Sequence, residues 1–126
     1  MRSVDTNVLV RLITRDDRRQ TEAAERFVAG GAWVPHIVLA ETLWVLESVY
    51  DRTRKQLATL VEMLLAHQQL VIQDPETIAA ALDLFRSRPR VDFSDCLILE
   101  TSRKAGHLKL ATFDRDLSKC EGSELI

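Results

Sequence analysis

Apolar residues return along the chain in two rhythms, and their alternation outlines the fold. Ser3 and Val4 read as the end of a short strand. Val8, Leu9, Leu12 and Ile13 then recur at the three- and four-residue spacing that lays one face of a helix on a core. Asp16 and Asp17 interrupt this stripe, Ala23, Ala24, Phe27 and Val28 restore it, and Gly30 with Gly31 ends it, which predicts a second, amphipathic helix. Ala32–Val34 is strand-like, Pro35 fits a helical first turn, and residues 37 to 50 are apolar enough for a long packed helix. After a break at residues 51 to 53, Leu57, Leu60, Val61, Leu64 and Leu65 predict a helix reaching His67 and forming a hairpin with its predecessor. Leu70–Ile72 is again strand-like. Asp74 and Pro75 offer a cap and a first-turn proline to a helix through Ile78, Leu82 and Phe85. A basic loop over residues 86 to 90 leads to a helix over Phe93–Ala105 that Gly106 closes. Residues 108 to 113 alternate as a strand does, and Leu125 with Ile126 forms a last edge strand. The alternation of strand and helix predicts an α/β fold with a mostly parallel central sheet and helices on both faces.

Composition narrows the class. A chain of 126 residues suits a single domain, residues 1–126, that buries about two-thirds of its unfolded surface. Hydrophobic residues at 46% and charged residues at 29%, with four Gly and three Pro, exclude disordered and fibrous classes. No apolar run has the length of a membrane span, and the first residues lack the layout of a signal peptide. The expectation is therefore a cytoplasmic protein with no membrane partner. Cys96 in an apolar run and Cys120 in a polar tail read as reduced thiols rather than a disulfide framework. Neither they nor His36, His67 and His107 have the spacing of a zinc site. A net charge of −2 argues against a protein that coats nucleic acid. Basic clusters at Arg11, Arg15, Arg18 and Arg19, at Arg52, Arg54 and Lys55, and at Arg86, Arg88 and Arg90 read mostly as solvated faces.

The acids are more informative. Asp5 stands at the carboxyl end of the first strand, where open α/β sheets bind ligands, although helix capping alone would explain it. Glu41 has Ile37, Val38, Trp44 and Val45 three and four residues away, so its carboxylate leaves a face expected to be buried. An unpaired buried charge is expensive, which calls for a cation or a pocket rim at Glu41. Asp92 reads as an N-cap, whereas Asp95, three residues on, sits among Phe93, Cys96, Leu97 and Ile98 and must face a polar pocket. Thr112-Phe-Asp114-Arg-Asp116 delivers another carboxylate at a strand end and one more two residues later. Carboxylates massed without cations repel one another. Mg2+ and Mn2+ are hard ions held by a few such groups, and a pair about 4 Å apart promotes phosphodiester cleavage.

Four segments, Val4-Asp-Thr-Asn-Val-Leu9, Leu39-Ala-Glu-Thr42, Asp92-Phe-Ser-Asp-Cys-Leu-Ile98 and Ala111-Thr-Phe-Asp-Arg-Asp116, together resemble the motifs of the PIN-domain ribonucleases. Within that family the chain is similar, over essentially its whole length, to the small toxin subunits of VapBC toxin–antitoxin systems. The resemblance implies a PIN-like three-layer α/β/α sandwich. It implies that Asp5, Glu41, Asp95 and Asp114 are catalytic, metal-binding acids, with Asp116 accessory, Thr6 and Thr112 as polar supports and Asn7 as an orienting residue. Asp92 falls where the family does not fix an acid. The implied activity is a Mg2+-dependent endoribonuclease, with Mn2+ as a substitute, acting on RNA as a homodimer and inhibited by an antitoxin that covers the site. Two other readings stay open. A phospho-acceptor domain, receiver or phosphatase-like, also places an Asp at a strand end, but a phosphatase would carry Asp where Asn7 stands, and Lys109 begins rather than ends a strand. The other is a catalytically silent PIN binding module.

Overall fold

The structure, a computed structural model, describes residues 1–126. It divides into two compact units, Met1–Pro75 and Glu76–Ile126. In the first unit, β1 (Arg2–Ser3), β2 (Ala32–Val34) and β3 (Leu70–Ile72) form a parallel sheet in that order, with Arg2 opposite Ala32 and Ala32 opposite Leu70. The period of two is visible in its burial: Ala32, Val34, Leu70 and Ile72 are buried while Val71 is exposed.

Aspartates delimit the first two helices. The side chains of Asp5 and Asp17 accept hydrogen bonds from the amides of Val8 and Gln20, starting α1 (Thr6–Thr14) and α2 (Arg18–Val28). Between them Arg15, at φ 55°, ends α1 in the left-handed region. Asp16 then ties this turn to the segment after the third helix by accepting from the Tyr50 hydroxyl at 2.6 Å and the Thr14 hydroxyl at 2.9 Å. The Tyr50 bond, followed by the Thr14 bond, holds the Asp16 carboxyl below the usual aspartate range. The basic cluster here is absorbed in ion pairs: Arg11 with Asp16, Arg15 with Glu25, Arg18 with Glu22. α1 packs on α2 and on α3 (His36–Ser48). Pro35 occupies the N-cap position of α3 with an extended ψ of 142°, one place earlier than its expected first-turn site. α4 (Arg54–Leu65) opens with a capping box between Thr53 and Gln56 and packs on α3 and β3.

Helix α3 buries Leu39, Thr42, Leu43 and Leu46. Thr42 is wholly buried and its Oγ1 has no hydrogen-bond partner. A buried hydroxyl without a partner keeps its full desolvation cost, so Thr42→Val, which preserves shape, is expected to stabilise the chain by about 1 kcal/mol. The melting temperature should rise by about 3–6 °C; a value at or below wild type would refute this account of Thr42.

In the second unit, α5 (Pro75–Ser87) buries Thr77, Ile78, Ala81, Leu82 and Phe85. The Phe85 ring meets Phe93 edge-on, with centroids 5.7 Å apart. α6 (Phe93–Ala105) has the bounds that its periodicity predicts, and Gly106 ends it at φ 81°, a conformation that glycine adopts without strain. β4 (Leu110–Thr112) and β5 (Ser123–Leu125) pair in parallel, and α7 (Arg115–Ser118) packs on both. Strands are thus parallel throughout, as the α/β expectation requires, with hydrogen bonding in one sheet of three strands and one of two. The alternating stretch at 108 to 113 keeps only its middle as strand, and the four-residue α7 has no counterpart in the sequence pattern. No helix is long and apolar enough to cross a membrane.

Candidate active site

In the first unit, Asp5 stands two residues past β1, and its extended backbone precedes α1. Its Oδ1 accepts from the Val8 amide at 3.1 Å, so the capping role is real. Oδ2 has no protein partner and remains available to a ligand. Asp5 opens onto two clefts. One, of about 400 Å3, carries Asn7, Arg11, Gln20 and Phe27. The other, of about 510 Å3, is walled by Val8, Phe27, Pro35 and Val38. Thr6 is half-buried as the first residue of α1, while Asn7 is exposed. Val38 brings α3 to the second cleft, three residues before Glu41.

Glu41 corrects an expectation. It does not leave a buried face: it is exposed, as are Ile37 and Trp44, each 68% accessible, on the same stripe of α3. The helix is apolar nearly all round, so periodicity alone did not indicate which stripe the core would take. The core took Leu39, Thr42, Leu43 and Leu46. No desolvation penalty therefore forces a partner on Glu41.

In the second unit the structure brings three of the motif acids within electrostatic reach. Asp95 is half-buried in the first turn of α6, and its carboxyl is pushed above the usual aspartate range, first by burial and then by the charges of Asp92 and Asp114. Asp92 occupies the N-cap position of α6 yet makes no side-chain cap bond, contrary to the capping role expected from its spacing. Its carboxylate is exposed and acts on Asp95 as a like charge instead. Asp114 stands two residues past β4 and caps α7, with Oδ1 accepting from the Leu117 amide at 2.8 Å and Oδ2 without a protein partner. The Thr112 hydroxyl accepts from the Asp114 amide at 3.0 Å and fixes the turn that presents this carboxylate. Asp116 lies half-buried in the first turn of α7.

None of Asp5, Glu41, Asp92, Asp95, Asp114 and Asp116 forms an ion pair, whereas Asp16, Glu22, Glu25 and Glu100 each do. Carboxylates with free oxygens, and with neither imidazole nor thiolate among them, suit a hard divalent cation. Both cysteines are buried as free thiols. No three His, Cys, Asp or Glu side chains are gathered tightly enough to enclose an ion. Mg2+ does not require such a cage, because it keeps several waters and takes one or two carboxylates. Of the four acids expected to hold the metal, Asp95 and Asp114 lie within electrostatic reach of each other in the second unit, with Asp92 beside them.

A model of the PIN domain matches residues 3–122. The chain belongs to the PIN-domain family. No curated protein matches it. The PIN match runs through both units and includes all six acids. PIN domains are commonly nucleases and generally use divalent metal ions, so the family agrees with the donor set and favours phosphodiester chemistry over the phospho-acceptor reading of Asp5.

Proposed function

We propose that this PIN domain, a single domain over residues 1–126, is a Mg2+-dependent endoribonuclease and the toxin of a VapBC-type toxin–antitoxin pair. The observation that carries the reading is the set of motif acids without cation partners, in which Asp95 faces the unrelieved charges of Asp92 and Asp114. Asp5, Glu41, Asp95 and Asp114 would hold the metal, with Asp116 beside them as an accessory acid. Bound Mg2+, or Mn2+ in its place, supplies an activated water and charge neutralisation at the leaving oxygen. The chain's own part is positional. Capping fixes Asp5 and Asp114 through one oxygen and leaves the other for the ion, Thr112 holds the Asp114 turn, and Thr6 and Asn7 support and orient the Asp5 turn.

A partner surface is consistent with the toxin role. Trp44, Val49 and Met63 are exposed, each more than 60% accessible, and a groove of about 380 Å3 floored by Leu57 and Leu60 carries Arg52 and Lys55 at its edge. Exposed apolar patches of this kind mark protein interfaces. An antitoxin packing along α3 and α4 and reaching the acids with a basic side chain would inhibit the enzyme, and a homodimer in the cytoplasm completes the proposal. Two free thiols fit that compartment.

The test is cleavage of an RNA with an accessible single-stranded loop, expected with Mg2+ and abolished by EDTA. Cleavage that survives EDTA would sink metal dependence, and none under any condition would leave a silent binding module. Co-expression with the adjacent gene should yield a complex on size exclusion, and the free chain should run as a dimer at tens of micromolar; a lone monomer in both experiments would refute the partner assignment.

A further inference from the structure

Phe113 is the most exposed large apolar side chain, at 81%. It follows β4, where Thr112 is half-buried, and stands between Thr112 and Asp114 in a turn held on both sides. The Asp114 amide donates to Thr112 Oγ1, the Leu117 amide donates to Asp114 Oδ1, and the Ile126 amide donates to the Thr112 carbonyl at 3.0 Å. The ring is therefore displayed on a fixed support, where it forgoes the stabilisation that burial would contribute. Arg115 follows Asp114, and its guanidinium is exposed with no protein partner. Three consecutive residues thus present a planar aromatic face, a carboxylate free to bind metal and an unpaired cation. Single-stranded nucleic acid asks for this combination: bases stack on aromatic rings while cations follow the phosphates. A protein partner asks instead for contiguous apolar surface, and within its turn Phe113 is bracketed by polar residues.

We propose that Phe113 is a positioning residue that stacks one unpaired nucleobase of an RNA strand, with Arg115 on a flanking phosphate, and so selects which phosphodiester reaches Asp114. The inference rests on the nuclease reading above and adds to it a contact that the acids do not supply. Stacking requires an extruded or unpaired base, so duplex RNA should be a poor substrate.

The experiment uses the full chain and short single-stranded RNAs carrying one 2-aminopurine at successive positions, titrated in EDTA so that binding is read without cutting. Wild type should quench the probe at one position. Phe113→Ala and Phe113→Leu should lose that quenching, and Phe113→Trp should keep it. With Mg2+, Phe113→Ala should raise KM about tenfold or more and leave kcat within about threefold, consistent with the loss of one stacked base. Its melting temperature should match wild type, because an exposed ring contributes little packing; a large drop would make Phe113 a packing residue and overturn the proposal. Wild-type cleavage with unchanged quenching and KM in Phe113→Ala would overturn stacking while leaving the nuclease reading intact. If Phe113→Leu performs as Phe does, the contact is merely apolar and belongs to a protein surface with exposed Leu125 and Ile126, which also overturns it. A wild type that neither binds nor cuts RNA would remove both readings together.

Discussion

Replacing Asp5, Glu41, Asp95 or Asp114 singly by its amide is expected to reduce RNA cleavage by about 100-fold or more, because each substitution removes an anionic ligand that the metal needs. The substitutions separate charge from shape. Asn caps a helix about as well as Asp, so Asp5→Asn and Asp114→Asn should keep the bonds to the Val8 and Leu117 amides and remain folded. Glu41 is exposed and without an ion pair, so Glu41→Gln should leave stability unchanged. Two neighbouring acids grade the assignment. Asp92 makes no cap bond and acts on Asp95 only through its charge, so Asp92→Asn should keep activity within a few-fold. Asp116 sits one helical position beyond Arg115, and its loss should cost about 10- to 100-fold, as for an outer acid that supports the metal. The measurement is the rate on one fixed RNA for all six variants after their folding has been verified. Activity kept in Asp95→Asn and lost in Asp92→Asn would show that the third motif had been assigned to the wrong aspartate.

Much of the architecture was legible because local signals agreed with one another. α6 has an acid before its first turn, an apolar stripe and a closing glycine, and its bounds emerged as predicted. β2 and β3 are short apolar runs between breakers, and both were found. What escaped the sequence lacked a period. α7 spans four residues, barely one turn, and β5 was anticipated only at its apolar end, as Leu125 with Ile126, because Ser123 and Glu124 give it no stripe. In the site, the strand-end aspartates were legible from position alone. The exposure of Glu41 was not, because α3 offers apolar residues on every side and only tertiary packing selects the buried one. Whether Asp92 caps α6 depends on a side-chain orientation chosen beside the like charge of Asp95, which spacing cannot express. Phe113 fell within the stretch expected to be a strand; only the structure places it past the end of β4 with its ring exposed beside Asp114.

Millimolar Mn2+ or Mg2+ is expected to raise the melting temperature at neutral pH, and Asp95→Asn should reverse its rank against wild type when the metal is added. An ion that binds only the native state contributes about 2.7 kcal/mol at a hundredfold excess over Kd, roughly 10 °C for a domain of this size. Without metal the acids oppose folding. Burial and the charges of Asp92 and Asp114 raise the Asp95 carboxyl above its ordinary value of 3.8, so the folded chain holds this proton more tightly than the unfolded chain does. The folded state is therefore penalised as pH rises from that ordinary value through the raised one; the penalty is complete above the raised value and absent below 3.8. Asp95→Asn deletes it. In EDTA the variant should melt above wild type at pH 7, and the gap should close as the pH falls below the ordinary aspartate range. In saturating Mn2+ the order should invert, because wild type gains a ligand-bound state that the variant binds poorly. Melting curves of the two proteins at two pH values, with and without the ion, decide it. Identical wild-type curves with and without Mn2+ would refute metal binding, while an Asp95→Asn variant no more stable than wild type in EDTA at pH 7 would refute the repulsion assigned to Asp92, Asp95 and Asp114.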